Sequence, residues 1–270
     1  MKESLISSLQ NPLVKQVVKL QQKASERKQN NQFVAEGVRE VSLAIQAGIE
    51  PELLCICPDI FSPDKSYPLD TESFTKQTRY VSAGVYNKMA YRQNVEGVLM
   101  VAQKYQLPLE KVKLTDRPLI IVLESVEKPG NLGAVLRTAD AVNADAVVIC
   151  DHQTDIFNPN VIRSSLGCVF TRQIALCKSD EFIYWASQKH IKTLLASVQA
   201  REYYFEKDMT EGIALIFGTE AHGLSEIWYK RADEKVKIHM QGKTDSLNVS
   251  ASVAVMLFEA QRQRMIREGV

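Results

Sequence analysis

The chain has 270 residues, of which 45% are hydrophobic and 24% are charged. This length supplies one large domain or two ordinary ones, and the hydrophobic content can fill a core in each, which excludes a disordered or fibrous protein. No run approaches the roughly 20 apolar residues that a membrane span requires, so we expect a soluble, cytoplasmic protein with no membrane partner. The net charge of +1 identifies no partner, because basic residues can be concentrated on one surface.

The five cysteines and four histidines show no spacing typical of metal ligands. The cysteines contain no CxxC pair, and no two histidines have the HxxxH spacing that places both on one helix face. We therefore expect reduced cysteines that serve in packing, and no bound metal.

Short apolar strands and helices alternate in the first part of the chain. FVAEGVREVSLAIQAG is typical of a strand followed by an amphipathic helix, LLCIC of a buried strand, YNKMAYR of a helix and GVLMVAQ of another strand. This pattern predicts a small α/β domain over residues 1–104. The polar segment 105–118, which carries two prolines, is predicted to be a linker.

Basic residues recur at every fourth position before the first predicted strand. In one continuous helix they share a face, which indicates either contact with the phosphates of a nucleic acid or an ordinary solvated surface. A further arginine lies in the helix that follows the strand. The candidate phosphate-binding residues are Lys15, Lys19, Lys23, Arg27 and Arg39.

The alternation of strands and helices continues after the linker. PLIIVLE, DAVVIC, QIALC, KTLLAS, ALIFG and VKIHM are typical of strands, and a long helix is predicted from about Leu247 to Arg267. This order predicts a mainly parallel sheet over residues 119–270, covered by helices on both faces. Ligands of such sheets bind beyond the carboxyl ends of the strands.

The first candidate motif, LESVEKPGNLGAVLRTADA, contains a strand end, a Pro-Gly turn and a helix that begins near Asn131. It lacks GxGxxG spacing, which argues against a nicotinamide-dependent dehydrogenase. Taken alone, Asn131 is better explained as a helix N-cap than as a catalytic residue. Arg137 lies four residues from both Gly133 and Ala141, so its guanidinium has room for a substrate, although an ion pair with Asp140 is an alternative.

Two further motifs follow. ALIFGTEAHGLS places Gly218 and Glu220 in a turn between a strand and a helix, where Glu220 is also a possible cap. VKIHMQGKTDSLNVSASVAVMLFEAQRQR contains a strand, a polar loop and the long final helix, which Ser246 and Asn248 are suited to cap. The apolar stripe of this helix indicates core packing or a dimer face, and it comprises Val249, Val253, Met256 and Ala260.

Taken together, PGNLGAVLRTADA, FGTEAHGLS and IHMQGKTDSLNVS resemble the three signature motifs of the SpoU/TrmH family, the RNA ribose 2′-O-methyltransferases of the SPOUT superfamily. The resemblance covers about residues 119–267. NPLVKQVVKL and FVAEGVREVSLAI are similar to the substrate-binding domain that often precedes this catalytic domain. The chain departs from the family at His239, where proline is usual, and YRQNVEGVLMVA matches only loosely.

The resemblance implies a deep C-terminal trefoil knot in the parallel α/β domain, S-adenosylmethionine as cofactor, and a homodimer in which the last helix packs against a second copy. It also implies which residues hold the cofactor, largely through backbone contacts. Carried to this chain, these are Ser197, Gly218, Ile238, Met240 and Leu247.

In similar proteins the residue matching Arg137 acts at the ribose 2′-hydroxyl. A guanidinium normally stays protonated, so we favour orientation and stabilisation of the developing alkoxide over general-base catalysis. The resemblance implies that Asn131, Glu220, Ser246 and Asn248 hold Arg137, the target phosphate and the ribose. The expected substrate is rRNA. The alternatives are tRNA, methylation of a base, and an inactive RNA-binding or ribosome-assembly protein.

Overall fold

The structure is a computed structural model that describes residues 5–71, 73–219 and 223–269. In chain order its helices and strands are α1 (Pro12–Gln22), α2 (Ala24–Asn30), β1 (Gln32–Glu36), α3 (Val38–Gln46), β2 (Leu53–Ile56), β3 (Thr78–Tyr80), α4 (Ala83–Met89), β4 (Val98–Gln103), β5 (Leu119–Glu124), α5 (Pro129–Ala141), β6 (Ala146–Cys150), α6 (Pro159–Ser164), β7 (Gln173–Cys177), α7 (Ser179–Gln188), β8 (Lys192–Ala196), β9 (Glu202–Tyr203), β10 (Ile213–Phe217), α8 (Glu226–Arg231), β11 (Glu234–Lys237) and α9 (Val249–Glu268). No described helix is both long enough and apolar enough to cross a membrane.

The chain folds into two compact units. The first contains residues up to Tyr105 together with Asp155–Thr171, and the second contains Gln106–Thr154 and the residues from Arg172 onward. The polar segment 105–118 therefore belongs mostly to the second unit, and a segment from the middle of the chain belongs to the first.

A four-stranded mixed sheet in the order β1-β4-β2-β3 forms the centre of the first unit. Successive residues of β1 point to opposite faces, as the pleat of a strand requires. Val34 packs in the cluster formed with residues of α1 and α4. Phe33 stacks on Phe157 with ring centroids 4.6 Å apart, and the ring centroids of Phe33 and Phe170 are 5.7 Å apart. The segment 155–171 thus contributes aromatic core to this unit.

The second unit is built on a seven-stranded sheet in the order β7-β6-β5-β10-β8-β11-β9. Every neighbouring pair is parallel, so the carboxyl ends of the strands meet at one edge. All residues of β5, β6 and β10 are buried, as expected for strands covered on both faces. The α/β class and the parallel sheet predicted from the sequence are confirmed.

The apolar stripe of α9 is buried within the chain itself. Val253, Met256 and Ala260 are fully buried, and Val249 is nearly so. Of the two interpretations left open by the sequence, core packing is therefore correct for these residues, and they are not free to form a dimer face. The exposed apolar residues of α9 are Phe258, Met265 and Ile266.

Candidate active site

A cavity of about 330 Å³ lies in the second unit, at the carboxyl ends of β8 and β10 and just beyond β11. The structure brings together in its lining all five predicted cofactor residues, Ser197, Gly218, Ile238, Met240 and Leu247. Three positions differ locally from expectation. Strand β11 ends at Lys237, so Ile238 and Met240 lie after the strand, and Leu247 lies two residues before the start of α9.

The backbone at Gly218 passes very close to the opposite side of its own loop. A Cβ atom on this residue would lie 2.3 Å from both the carbonyl carbon and the carbonyl oxygen of Gly223 and 2.7 Å from the amide nitrogen of Leu224. The Thr219 and Gly223 amides each donate to the other residue's carbonyl at 3.0 Å, which closes the loop. Position 218 therefore requires glycine because of this close approach.

Two hydroxyl groups meet at the cavity wall, and the sequence analysis identified only one of them. The Ser197 Oγ and the Tyr229 hydroxyl are 3.1 Å apart, and both residues line the cavity. Lys235 Nζ lies 5.8 Å from the centroid of the Tyr229 ring. Tyr229 lies in the short helix α8, six residues after Gly223, and only the fold reveals that it reaches the cavity.

Among the described residues, three of the predicted catalytic ones bond to one another or line the cavity, and Arg137 does neither. Asn248 caps α9 by accepting the Ser250 amide at 3.0 Å, and its Nδ2 donates to the Asn131 Oδ1 at 3.2 Å. Ser246 lines the cavity. Asn131, in the first turn of α5, and Asn248, the cap of α9, are thus partners of each other, which joins the first and third motifs.

Arg137 is exposed on α5 and is not among the described residues that line the cavity. Asp140, the ion-pair partner considered for it, pairs with Arg172 at 3.2 Å. Glu220 lies outside the described residues.

The structure corrects the expected stripe of basic residues. Lys15 and Lys19 are carried on α1, but Lys23 has an extended backbone (φ −122°, ψ 118°) that separates α1 from α2. Arg27 follows this break and is only 2% exposed. The expectation that all four residues share one helix face along the phosphates is therefore wrong for Arg27.

Arg27 has a structural partner inside the first unit. Its Nη1 donates to the Leu20 carbonyl at 2.8 Å, and its Nε donates to Asp155 at 2.7 Å. Lys104 Nζ contacts the other oxygen of Asp155 at 3.1 Å. Burial of Asp155 opposes its ionisation, but the hydrogen bonds from Arg27 and Lys104 outweigh burial, so its pKa lies below the ordinary value.

The remaining predicted RNA-binding residue, Arg39, is half-buried. Its guanidinium carbon lies 5.1 Å from the centroid of the Tyr67 ring, within the range of a cation–π contact. This contact holds the side chain against the first unit.

Comparison with known proteins decides the family. A model of the SpoU rRNA Methylase family matches residues 118–258, which include the whole cavity. The chain belongs to the SpoU rRNA methylase family. A model of the MRM3-like substrate binding domain matches residues 11–100.

Relatives resemble the chain over nearly its full length. The 23S rRNA (guanosine(2553)-2′-O)-methyltransferase RlmP of Bacillus subtilis is 29% identical, over 94% of this chain and 97% of the relative. A crystal structure of an RNA 2′-O ribose methyltransferase is 34% identical with a TM-score of 0.83, covering 97% of this chain and 100% of the other. An AdoMet-bound rRNA methyltransferase from Sinorhizobium meliloti is 26% identical with a TM-score of 0.85, covering 96% and 97%.

Proposed function

We propose that this SpoU-family protein transfers the methyl group of S-adenosylmethionine to a ribose 2′-hydroxyl of rRNA. The observation that carries the proposal is the cavity in which Ser197, Gly218, Ile238, Met240 and Leu247 meet. Backbone groups at strand ends suit an adenosyl group, and the loop at Gly218 packs against Gly223 too closely to leave room for a side chain. A relative of the same fold was crystallised with AdoMet, which supports this cofactor.

The cofactor supplies an electrophilic methyl group when bound, and the residues of the chain arrange the acceptor. The Ser197 and Tyr229 hydroxyls are available as hydrogen-bonding groups at the cavity wall. The linked amides of Asn131 and Asn248, with Ser246, hold the target ribose and its phosphate. Arg137 orients the 2′-hydroxyl and stabilises the charge that develops on its oxygen, since a guanidinium keeps its proton and serves poorly as a base.

The first unit binds the RNA in this proposal. Its match to a substrate-binding domain supports the role, and the exposed Lys15, Lys19 and Lys23 are suited to contact phosphates. Deleting residues 1–104 is a poor test of this role because it would remove Phe33, on which Phe157 packs. Point substitutions of exposed lysines keep that core intact.

Two structural features complete the proposal. The C-terminal segment forms a deep trefoil knot, which an experimental structure with a continuous chain trace will test.

The protein is a homodimer, with the exposed Phe258, Met265 and Ile266 of α9 as the apolar contact in place of the buried stripe. Light scattering at micromolar concentration should give twice 30.4 kDa, and a fully active monomer would contradict the dimer.

The deciding experiment uses S-adenosylmethionine with a labelled methyl group and separate rRNA and tRNA from a strain that lacks this protein. We expect label in rRNA, and nuclease digestion should place it on ribose. Label only in tRNA would change the substrate, and label on a base would change the reaction. If both RNAs remain unlabelled although the protein binds S-adenosylmethionine, the proposed activity is wrong and a role in RNA binding or ribosome assembly is favoured.

A further inference from the structure

Glu124, the last residue of β5, is only 6% exposed yet carries a carboxylate. Its oxygens accept three hydrogen bonds: the Ser225 amide donates at 2.7 Å, the Ser225 hydroxyl at 2.5 Å and the Ser179 hydroxyl at 3.2 Å. A buried carboxylate is costly unless such donors surround it. The carboxylate and the two serines therefore fix one another.

Ser225 is the N-cap residue of α8, where serine usually accepts a bond from a backbone amide of its own helix. Here the Ser225 side chain makes no such capping bond, and its hydroxyl donates to Glu124. The amide and hydroxyl of Ser225 thus attach the start of α8 to Glu124 of β5, which lies 101 positions away in the chain.

The elements attached in this way form one side of the cavity. Gly223 and Leu224, which directly precede Ser225, line it, and α8 carries Tyr229 to the hydroxyl of Ser197. Trp228 of α8 is fully buried and lies 6.1 Å from Phe182 of α7, ring centroid to centroid. Since Ser179 begins α7, one carboxylate fixes the starts of both packed helices.

We infer that Glu124 is a positioning residue for cofactor binding: it holds the 223–225 segment and α8 in place, and thereby keeps the wall of the cavity in its binding shape. Glu124 itself is not among the described residues that line the cavity. The inference rests on the proposed function, because it takes S-adenosylmethionine as the ligand.

The test measures S-adenosylmethionine affinity by calorimetry in Glu124→Ala, Glu124→Gln and the wild type. Alanine leaves the amide and the hydroxyl of Ser225 without an acceptor, whereas the Ser179 hydroxyl keeps Asp151, and we expect the Kd to rise by about tenfold. Glutamine keeps one acceptor oxygen for the Ser225 amide and can donate to the hydroxyls, so it should stay within about threefold of wild type. In steady-state assays the alanine variant should raise KM for S-adenosylmethionine much more than it lowers kcat.

Asp151→Asn is the matched control. Asp151 accepts the Ser179 hydroxyl at 2.7 Å and pairs with Lys178 at 3.1 Å, but these bonds reach α7 and not the 223–225 segment. Its positive φ of 48° also suits asparagine. This variant should keep the wild-type Kd within about twofold. Equal weakening by Asp151→Asn and Glu124→Ala would overturn the inference.

A second measurement is independent of the cofactor. Amide hydrogen exchange should become faster in peptides that cover residues 223–231 of Glu124→Ala, and stay unchanged in Asp151→Asn. If Glu124→Ala does not fold, Ser225→Ala, which removes one of the three donors, should weaken binding by about threefold and speed the same exchange. A folded variant with wild-type affinity and exchange would overturn the inference alone, whereas a wild type that does not bind S-adenosylmethionine would also overturn the proposed function.

Discussion

Adding a single methyl group at Gly218 should abolish most cofactor affinity. In Gly218→Ala the new Cβ would lie 2.3 Å from the carbonyl carbon and oxygen of Gly223. Ordinary contacts of this kind are about 3.5 Å, so one side of the loop must retreat by about 1.2 Å. The clashing atoms, which include the Leu224 amide nitrogen at 2.7 Å, are all backbone, so no side-chain rotation can relieve the contact.

The magnitude follows from what this retreat breaks. The paired bonds between Thr219 and Gly223 are 3.0 Å long, and a displacement of this size lengthens both beyond hydrogen-bonding distance. Breaking two bonds at about 1 kcal/mol each gives at least about 2 kcal/mol, before any strain in the surrounding core is added. If this cost falls on the binding-competent loop, the Kd for S-adenosylmethionine rises by about thirtyfold or more. Gly218→Val should weaken binding further, because its two additional methyl groups enlarge the clash with the backbone of Gly223 and Leu224.

Calorimetry on Gly218→Ala, with thermal unfolding to confirm the fold, provides the measurement. Gly130→Ala is the control, because a Cβ at this helical position meets nothing within 4 Å. The control should bind S-adenosylmethionine normally and should be no less stable than the wild type. Wild-type affinity in a folded Gly218→Ala protein would show that the loop is not a wall of the cofactor site, and would refute the reasoning.

Arg137→Ala should keep cofactor binding while lowering the single-turnover rate by a factor on the order of 100, and Arg137→Lys should rescue little if paired hydrogen bonds are required; near-normal turnover in the alanine variant would remove Arg137 from the mechanism. The exposed lysines of the first unit are Lys15, Lys19 and Lys23. Replacing them with alanine should flatten the slope of log binding constant against log salt concentration for RNA, by up to about 0.9 for each phosphate that is no longer neutralised. An unchanged slope would show that these lysines are an ordinary solvated surface. Arg27→Ala should instead lower the free energy of unfolding by about 2 kcal/mol, because Asp155 loses its buried partner and keeps only Lys104. The pKa of Asp155 is lower in the folded protein, so the ionised carboxylate stabilises the fold above its unfolded pKa, and this stabilisation disappears as the pH falls through the folded pKa. Acid unfolding of Asp155→Asn should lack this loss of stability. An acid transition identical to that of the wild type would contradict the prediction.

The strands of the second unit were predictable because burial leaves a simple signature. PLIIVLE, DAVVIC and ALIFG correspond to β5, β6 and β10, all completely buried. The edge strand β9 is only two residues long, and it has no such run. The order of the strands in the sheet cannot be predicted from local sequence patterns either. Strand β5 pairs with β10, although four strands, β6 to β9, lie between them in the sequence. Strand existence depends on neighbours in sequence, whereas strand order depends on neighbours in space.

The same distinction separates the parts of the site that the sequence predicted from those it did not. Gly218 was identifiable because a close backbone approach excludes every side chain, and this requirement appears in the residue type itself. Glu124 gave no comparable signal, because its donors come from residues 55 and 101 positions later in the chain. A glutamate at the end of a strand has the same appearance whether it is solvated or holds two helices.

Arg27 shows why a periodic pattern of charge is weaker than a periodic pattern of apolar residues. Four-residue spacing places side chains on one face only if the helix continues, and here the extended backbone at Lys23 ends it. A lysine can reach water from most positions, but Arg27 finds Asp155, 128 residues away in the chain, and together they can be buried. The spacing of the basic residues therefore could not show which of them remains free for RNA. That depended on where an acidic partner from the second half of the chain comes to lie, and Asp155 lies in the segment that packs with the first unit.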